Sequence, residues 1–537
     1  MPTVREVTYQ LLRELGMTKI FGNPGSSELP FLKDMPVDFQ YVLGLHERVA
    51  AGMGVGYALG RGQAAFVNLH SIASAGNGLS ALIDALASHA PLVVTTGQQD
   101  RRQIMGEPFL ISRAAQVVNP YVKWSCEPLR AEDVPAAIAR GYYLAMQPPR
   151  GPVFISVPMD DWNKPCEPLA ARQVTQTVLP DPAALDEVVG AIDASKRLAL
   201  IAGAQIEEDG ANREVVALAE KLNADVYAEP IASRWAFPRS HRLLRGGLLP
   251  ARKPLADQLA GYDTVVVLGA PVFLYYAFVP GNAIAPGTKL FQITNSPQDA
   301  STALAGASVV GNLKAAAEYL RSRVKPVERA VPARTEPPQP TTENPITCAH
   351  LFYTLNKLMP RDAIISEECP SSKGDLDRYV ELDEPGSFYS VRTGILGFGA
   401  PAAVGLQMAH PDRRVVCAVG DGSLQYSVQA LWSAVQSKAP VIFLVIANGN
   451  YSALKGFRDF TKVGSNVPGI DIPGIDAVKI AQGYGMQAHA VERPEDLEKT
   501  LNCAFASTDP VLINVTVQPG GQKTMGMDQS VNPPNYG

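Results

Sequence analysis

The segment VVCAVGDGS, residues 415–423, joins a short apolar run to a glycine-rich turn that carries one carboxylate. An uninterrupted apolar run of this length is typical of a strand that is buried on both faces of a parallel sheet. Residues 426–436 follow with a helical pattern, so we predict a strand, a tight turn and a helix. Glycine lets the backbone approach a ligand closely, and a helix N-terminus directs unpaired N–H groups at an anion. The segment therefore predicts an anion site with the carboxylate of Asp421 beside it.

Comparable apolar runs recur along the chain, and the segments between them are long enough for helices. The runs are residues 64–69, 91–95, 153–157, 198–202, 264–268, 415–419, 441–446 and 511–517. Alternation of buried strands with helices indicates parallel sheets that are covered by helices on both faces. We therefore predict an α/β protein built from doubly wound parallel sheets.

Two proline-rich stretches divide the 537 residues into three parts. Residues 165–182 and 325–345 suit extended linkers better than sheets or helices. The predicted domains are residues 1–165, 182–325 and 345–520, followed by a C-terminal tail at 521–537. The middle domain has a Rossmann-like pattern, but Gly203 and Gly269 are not part of a GxGxxG turn, so no dinucleotide is predicted there.

Composition disfavours several classes of function. The net charge is −5, and no basic run provides the positive stripe that nucleic-acid binding requires. The N-terminal residues include charges where a signal peptide would be apolar, and the densest apolar run, residues 441–447, is too short to cross a bilayer. Six cysteines without a CxxC pair disfavour a zinc site and a disulfide framework. We expect a cytoplasmic protein that binds a small molecule, and neither nucleic acid nor a membrane.

A second apolar strand ends at Asn448, Gly449 and Asn450, and neighbouring parallel strands deliver such residues to the same edge of a sheet. Magnesium prefers an octahedron of hard oxygen ligands, which carboxylate, amide and carbonyl groups supply together with phosphate oxygens. We predict Asp421, Asn448 and Asn450, the last through its carbonyl group, as ligands of Mg²⁺. The alternative is an ordinary Asp-Gly turn between a strand and a helix.

Several motifs together resemble one enzyme family. Asn448 lies 26 residues after Gly422, as in the GDG…N signature of thiamine-diphosphate enzymes, although Ala447 stands where the family usually has a second asparagine. FGNPGSS at residues 21–27 and NLHS at residues 68–71 are similar to the thiamine-diphosphate-dependent decarboxylases, and to benzoylformate decarboxylases in particular. The resemblance extends over roughly residues 8–517.

The resemblance implies thiamine diphosphate and Mg²⁺ as cofactors, with a pyrimidine-binding first domain and a diphosphate-binding third domain. It implies a carboxy-lyase that converts a 2-oxo acid similar to benzoylformate to an aldehyde and carbon dioxide without oxidation. The alternative with the same cofactor is a carboligase or lyase that acts on 2-hydroxy ketones or 2-hydroxyacyl compounds. A third hypothesis, a cofactor-binding protein without turnover, is disfavoured by the presence of Glu47, His70 and Asp421.

The same resemblance implies roles for individual residues around the cofactor. Glu47 hydrogen-bonds the aminopyrimidine ring, which then takes the proton from the thiazolium C2 atom. Leu396 supports the bent cofactor, and the Gly394 carbonyl accepts a hydrogen bond from the aminopyrimidine amine. A leucine at this position is also compatible with ordinary core packing. The other residues for which the resemblance implies cofactor contacts are Gly25, Gly422, Ser423 and Tyr451.

On the substrate side, the resemblance implies that Ser26 hydrogen-bonds the substrate carboxylate and that His70 acts as acid and base near neutral pH. A single histidine at a strand end is otherwise more often structural. Tyr276 lies three residues after the sequence APVF, where the decarboxylases of the family carry a second histidine. Because a phenol titrates far above neutral pH, this replacement disfavours efficient turnover of benzoylformate.

The remaining pocket residues implied by the resemblance form an apolar wall for an aromatic substrate. They are Leu110, Leu454 and Phe457. Arg392 and Ser390 stand where the family has apolar or small residues. An inward guanidinium of Arg392 would favour a second anionic or polar group on the substrate, whereas an outward one would face solvent or a subunit interface.

The two halves of the predicted site lie in different domains, because Glu47 belongs to the first and Asp421 to the third. In the family these halves come from different subunits. The resemblance therefore implies a homodimer or homotetramer with active sites at the subunit interface.

Overall fold

The computed structural model describes residues 1–331, 333–334 and 336–519. The predicted tail at residues 521–537 lies outside the described residues. Within the described part, the chain forms three six-stranded sheets whose neighbouring strands are all parallel. The predicted α/β class with three parallel-sheet domains is confirmed. In the same residues, no helix is both long and apolar enough to cross a membrane.

The first sheet and its helices come from the N-terminal third of the chain. The strands are β1 (Lys19–Asn23), β2 (Gln40–Leu43), β3 (Ala65–Leu69), β4 (Leu92–Gln98), β5 (Trp124–Cys126) and β6 (Pro152–Pro158). The helices are α1 (Val4–Glu14), α2 (Leu29–Leu32), α3 (Glu47–Arg61), α4 (Ser71–Ala87), α5 (Ala114–Val118) and α6 (Val134–Met146). The strand order β2-β1-β3-β4-β6-β5 places the switch in winding direction between β1 and β3.

The second sheet occupies the middle of the chain. The strands are β7 (Leu198–Ala202), β8 (Asp225–Ala228), β9 (Leu244–Gly247), β10 (Thr264–Leu268), β11 (Lys289–Thr294) and β12 (Ala307–Val310). The helices are α7 (Pro182–Ala194), α8 (Gln205–Glu208), α9 (Asn212–Leu222), α10 (Arg252–Leu259), α11 (Pro297–Ser301) and α12 (Leu313–Arg323). The strand order is β12-β11-β10-β7-β8-β9.

The third sheet comes from the C-terminal part of the chain and has six strands. The strands are β13 (Ile364–Glu368), β14 (Phe388–Ser390), β15 (Val415–Gly420), β16 (Ile442–Ala447), β17 (Gln487–Val491) and β18 (Val511–Thr516). The helices are α13 (Cys348–Leu358), α14 (Lys373–Tyr379), α15 (Gly399–Ala409), α16 (Asp421–Leu424), α17 (Ala430–Gln436), α18 (Ser452–Thr461), α19 (Ala477–Gly483) and α20 (Pro494–Ala506). The strand order is β14-β13-β15-β16-β18-β17, so the winding direction switches between β13 and β15.

The prediction of one continuous helix over residues 426–436 is wrong. A helical turn, α16, already begins at Asp421, and the next helix, α17, begins only at Ala430. Between them, the N–H groups of Gln425, Tyr426 and Ser427 donate to carbonyls three residues earlier rather than four. These tighter bonds turn the chain, so the helical pattern of the sequence is divided between two short helices.

Helices α3 and α15 join the first and third domains. Both are buried along most of their length. A Cβ atom added at Gly56 would lie 2.1 Å from the Ala402 carbonyl oxygen, and one added at Gly405 would lie 2.0 Å from the Met53 carbonyl oxygen. Since neither position leaves room for a methyl group, the two glycines are a steric requirement of this helix contact.

A buried ion pair lies at the start of the same helix contact. Arg48, in the first turn of α3, donates to Asp84 of α4 at 2.5 Å, and both side chains are almost completely buried. Thr393 also donates to Asp84, and Arg48 reaches the Leu396 carbonyl oxygen at 3.4 Å. The pair connects the start of α3 to the segment before α15, and removal of either partner would leave an unpaired buried charge.

We predict that Gly56→Ala destabilises the protein by about 2 kcal/mol, because the added methyl group forces α3 and α15 apart. Thermal unfolding of the purified protein measures the effect as a lower Tm. The matched control is Gly190→Ala, at an exposed position inside helix α7 with nothing within 4 Å of an added Cβ atom. The control should be as stable as the wild type or slightly more stable. An unchanged Tm for Gly56→Ala would contradict the steric account.

Candidate active site

The carboxyl ends of the neighbouring strands β15 and β16 bring Asp421 and Asn448 to one sheet edge. The Asp421 carboxylate accepts hydrogen bonds from the N–H groups of Gly422 at 2.8 Å, Asn448 at 3.1 Å and Gly449 at 2.8 Å. These bonds use three of the roughly four acceptor positions of a carboxylate. Asp421 is therefore held by backbone from two loops and keeps an oxygen position for a cation.

The loop after β16 orients the two predicted amide ligands. The Asn448 side-chain nitrogen donates to Ser452 at 3.1 Å, and its Oδ1 accepts from the N–H of Asn450 at 3.1 Å. Ser452 in turn donates to the Asn450 Oδ1 at 2.6 Å. The side-chain nitrogen of Asn450 donates to the main-chain carbonyl of Asn448. Because the Asn450 side chain is used within the loop, its main-chain carbonyl is the oxygen that it can offer to a cation.

The chemistry of these donors fits a hard cation. In the part of the chain that the structure describes, no three His, Cys, Asp or Glu side chains gather into a metal-binding group. A cation at this edge would therefore be held by one carboxylate together with amide and carbonyl oxygens. This donor set suits Mg²⁺, whereas softer metals prefer imidazole or thiolate ligands.

The turn that follows β15 is shaped for close approach to the backbone. A Cβ atom at Gly422 would lie 2.5 Å from the Tyr451 ring, so only glycine fits there. Gly422 and Ser423 belong to the first turn of α16, and both are buried. The N–H of Gly422 donates to Asp421, whereas other N–H groups in the first turn of a helix have no partner within it and can bind an anion. Three of the predicted cofactor-binding residues thus lie together beside Asp421.

The predicted activating glutamate lies in the first domain. Glu47 begins helix α3 and is 7% exposed. One carboxylate oxygen accepts a hydrogen bond from the Asn77 side chain at 3.0 Å. The preceding residue, His46, caps the helix by accepting from the N–H of Arg48 at 3.1 Å. The carboxylate is therefore buried and oriented by a neutral amide donor.

The segment before α15 carries Gly394 and Leu396, for which the sequence predicts contacts to the cofactor. Gly394 is exposed and has φ +75°, a conformation that favours glycine. Just after Leu396, the N–H groups of Gly397 and Gly399 donate to Glu368 at 2.5 and 2.6 Å. Burial raises the pKa of Glu368 to about 8. These bonds fix the backbone of the segment, while the Leu396 side chain stays only partly buried.

At the edge between β1 and β3, the structure brings the Gly25 loop and His70 together. A Cβ atom at Gly25 would lie 2.3 Å from the imidazole ring of His70. The His70 Nδ1 atom lies 2.9 Å from a carboxylate oxygen of Glu28 and 3.0 Å from the Ser27 hydroxyl. Ser26, the predicted substrate-binding residue, is exposed on the same loop. Ser27 is the last residue of the motif that contains Ser26, and Glu28, which no sequence pattern predicted at the site, follows it directly.

The structure places Tyr276 against the predicted apolar wall. The rings of Tyr276 and Phe457 have their centroids 5.2 Å apart, which connects the middle domain to helix α18. Leu454 lies three residues before Phe457 on the same helix, and half of its side-chain surface is exposed. Leu110, the third predicted wall residue, lies in the first domain between β4 and α5 and has φ +63°. Tyr276, Leu454 and Phe457 thus belong to one surface of the chain.

Arg392 has an acidic neighbour within the chain. Its side chain is 8% exposed, and its guanidinium lies 3.6 Å from a carboxylate oxygen of Glu229 in the middle domain. Burial raises the pKa of Glu229 to about 7, and the charge of Arg392 opposes that rise. The nearby Ser390 is also buried and donates to Glu367 at 2.6 Å. The anionic partner of Arg392 in this chain is therefore a protein carboxylate.

Three models of known protein families match the chain, one in each of its three domains. Models of thiamine pyrophosphate enzymes match residues 2–116 as the N-terminal TPP binding domain, residues 185–320 as the central domain, and residues 371–515 as the C-terminal TPP binding domain. The chain belongs to the thiamine pyrophosphate enzymes. Thiamine pyrophosphate is another name for thiamine diphosphate, so the family resemblance expected from the sequence is confirmed.

Individual thiamine pyrophosphate enzymes resemble the chain over nearly its whole length. A benzoylformate decarboxylase of Pseudomonas aeruginosa is 44% identical over 526 residues, which cover 96% of this chain and 99% of that protein. A thiamine diphosphate-dependent 4-hydroxybenzoylformate decarboxylase of Rhodococcus jostii has a TM-score of 0.94 at 41% identity, over 96% of this chain and 99% of the other. A benzoylformate decarboxylase of Polynucleobacter necessarius has a TM-score of 0.94 at 38% identity, over 97% and 99%.

We predict that Asp421→Ala weakens magnesium-dependent binding of thiamine diphosphate by at least about tenfold, since it removes the only carboxylate among the proposed cation ligands. Titration calorimetry with and without Mg²⁺ measures the change in Kd. The control is Asp412→Ala, which alters an exposed aspartate in the loop before β15 and should bind as the wild type does. Unchanged magnesium-dependent affinity in Asp421→Ala would move the cation site elsewhere.

Proposed function

We propose that this thiamine pyrophosphate enzyme is a carboxy-lyase that converts a 2-oxo acid with an aryl group, such as benzoylformate, to an aldehyde and carbon dioxide. The observation that carries the proposal is a pair of oriented groups at the first sheet, the buried Glu47 bonded to Asn77 and the partly buried His70 bonded to Glu28. The names and high identity of the relatives support decarboxylation over the alternative of carboligation.

Thiamine diphosphate and Mg²⁺ are the proposed cofactors. When bound, thiamine diphosphate supplies the electron sink that a 2-oxo acid needs in order to lose carbon dioxide. The cation neutralises the diphosphate charge, and its proposed protein ligands are Asp421, Asn448 and the carbonyl group of Asn450. The residues proposed to line the cofactor are Gly25, Gly394, Leu396, Gly422, Ser423 and Tyr451.

Glu47 is proposed to hydrogen-bond the aminopyrimidine ring of the cofactor. Its carboxylate has one oxygen on Asn77, which leaves the other as an acceptor or proton carrier. On the substrate side, Ser26 is proposed to position the substrate carboxylate, and His70 to transfer protons. His70 suits this role because its hydrogen bond to Glu28 raises its pKa, which favours the protonated imidazole near neutral pH.

The proposed pocket accepts an uncharged aryl ring. Leu110, Leu454 and Phe457 supply apolar surface, and the ring of Tyr276 contacts Phe457 at a tilt of 59°. Because Arg392 already faces Glu229, we do not assign it to a second acidic group of the substrate. Burial of an aryl ring against apolar side chains stabilises binding in proportion to the area removed from water.

A homodimer or homotetramer with active sites between subunits is the proposed assembly. Large apolar side chains near the proposed site residues are exposed in the single chain. They are Leu29, Leu45, Tyr276, Phe278 and Leu454, with exposed fractions between 44% and 61%. Exposed large apolar side chains are common at subunit contacts, which supports the assembly.

The proposed location is the cytoplasm. The six cysteines are all free, and Cys166, Cys369 and Cys417 among them are buried. Free thiols are usual in reducing compartments, which supports this location.

The function is tested by incubating the holoenzyme with a panel of 2-oxo acids, with and without benzaldehyde. Benzoylformate and its 4-hydroxy derivative should release carbon dioxide faster than pyruvate, because an aryl ring buries more apolar area against these side chains than a methyl group does. A preference for aliphatic 2-oxo acids would contradict the proposed substrate class. Formation of 2-hydroxy ketone as the main product would favour carboligation instead.

We predict that Glu47→Gln retains both cofactors but loses activity by about 10²-fold or more, because the amide cannot carry a proton for the aminopyrimidine ring. Exchange of the cofactor C2 hydrogen for deuterium measures the step directly. Glu187→Gln, an exposed position on helix α7, is the matched control and should exchange at the wild-type rate. If Glu47→Gln also exchanges at the wild-type rate, Glu47 takes no part in activation.

We predict that Tyr276→His increases the rate of benzoylformate turnover and lowers the share of 2-hydroxy ketone formed when benzaldehyde is present. An imidazole at this position titrates near neutral pH and can protonate the product carbon, whereas a phenol donates poorly there. Tyr276→Phe is the control, since it keeps the ring contact with Phe457 and lacks the hydroxyl. Identical rates and product ratios in all three proteins would exclude residue 276 from proton transfer.

A further inference from the structure

The carboxylate of Glu28 has four hydrogen-bond partners. One oxygen accepts from the N–H of Gly97 at 2.7 Å and from the hydroxyl of Ser27 at 2.9 Å. The other oxygen accepts from the N–H of Gly25 at 2.8 Å and lies 2.9 Å from the Nδ1 atom of His70. Glu28 is only 1% exposed, so its orientation is set by these protein groups.

The backbone donors determine where the proton of His70 lies. A backbone N–H group can only donate, so Gly25 and Gly97 require acceptor oxygens and favour the ionised form of Glu28. An ionised carboxylate has no proton to donate, and the hydrogen bond to His70 therefore needs a proton on Nδ1. In the neutral ring, Nε2 is then the nitrogen with the free lone pair.

The surrounding backbone is built to hold this arrangement. A Cβ atom at Gly25 would lie 2.3 Å from the His70 ring, and one at Gly97 would lie 2.2 Å from a carboxylate oxygen of Glu28. Gly97 belongs to β4, while His70 follows β3 and Gly25 follows β1. The carboxylate thus connects three strand ends, and its geometry depends on the sheet rather than on one flexible loop.

We propose that Glu28 is a positioning residue, which holds His70 as the Nδ1–H tautomer and leaves Nε2 as the ring nitrogen that exchanges a proton with the substrate. The inference rests on the function proposed above, in which His70 contacts the substrate. It adds to that function a residue that acts through His70 without contacting the substrate itself.

The electrostatic environment of His70 supports this role. The hydrogen bond that His70 donates to Glu28 raises the pKa of His70, burial lowers it, and the charges of Glu28 and Glu47 raise it further. Glu28 and Glu47 are the charged groups that act on the ring. Loss of the Glu28 charge should therefore lower the pKa of His70 and reduce its protonated fraction near neutral pH.

Nitrogen NMR of the holoenzyme, labelled with ¹⁵N-histidine, tests the tautomer directly. The His70 signal is identified by its absence in His70→Ala. Above the pH at which His70 titrates, we expect the Nδ1–H tautomer in the wild type and in Ser27→Ala. This control removes a hydroxyl that lies near both the Glu28 carboxylate and Nδ1 of His70, but it keeps the bond between Glu28 and His70. In Glu28→Gln we expect the Nε2–H tautomer to appear and the titration of His70 to move to lower pH.

Steady-state kinetics of the same variants with benzoylformate provide a second test. In Glu28→Gln, kcat should fall about tenfold or more with little change in KM, and the limb of the pH profile that reports His70 should move to lower pH. Ser27→Ala should change both much less. The double variant Glu28→Gln/His70→Ala should be no slower than His70→Ala, because Glu28 acts only through His70.

An Nε2–H tautomer in the wild type overturns the proposal, even if Glu28→Gln fails to fold. The proposal is also overturned if a folded Glu28→Gln keeps both the wild-type tautomer and the wild-type pH profile. A double variant that is slower than His70→Ala by the full effect of Glu28→Gln would overturn it as well. If the wild type decarboxylates no 2-oxo acid while the tautomer still depends on residue 28, the proposed function fails and the positioning of His70 by Glu28 stands.

Discussion

The close contact between helices α3 and α15 is the constraint on which the rest of the proposed site depends. Gly56 and Gly405 let the two backbones approach to distances that no larger residue permits. Glu47 begins one of these helices, and the segment with Leu396 leads into the other. A change in this contact would therefore move groups in both domains at once, which makes packing and function inseparable here.

Carboxylates held by backbone N–H groups are the recurring device of this protein. Asp421 has three such donors and Glu28 has two. Backbone donors belong to strands and tight turns, so they do not adopt alternative rotamers as side-chain donors do. The charge is oriented before any ligand arrives, which is the condition under which a fixed charge stabilises a cation or a protonated imidazole effectively.

The middle domain contributes more than a spacer between the two outer domains. Its Tyr276 packs on Phe457 of α18, and its Glu229 faces Arg392 of the third domain. The first contact adds an aromatic ring to the apolar surface proposed for the substrate. The second gives the largely covered side chain of Arg392 an acidic partner within the chain.

The sequence by itself determined the fold class, the family and most of the candidate residues. Buried strands such as β7 and β10 are continuous apolar runs, and the turn at Asp421 needs specific residue types at fixed spacing, so both are visible locally. Only one of the five residues of the outer strand β17 is buried, and the strand has no such run. The break between α16 and α17 arises from hydrogen bonding that no pattern of apolar residues encodes. Tertiary structure alone decided the partners of His70 and Arg392. Those partners are distant in sequence and meet only where strands and domains pack together, so the packing of the whole chain sets their geometry.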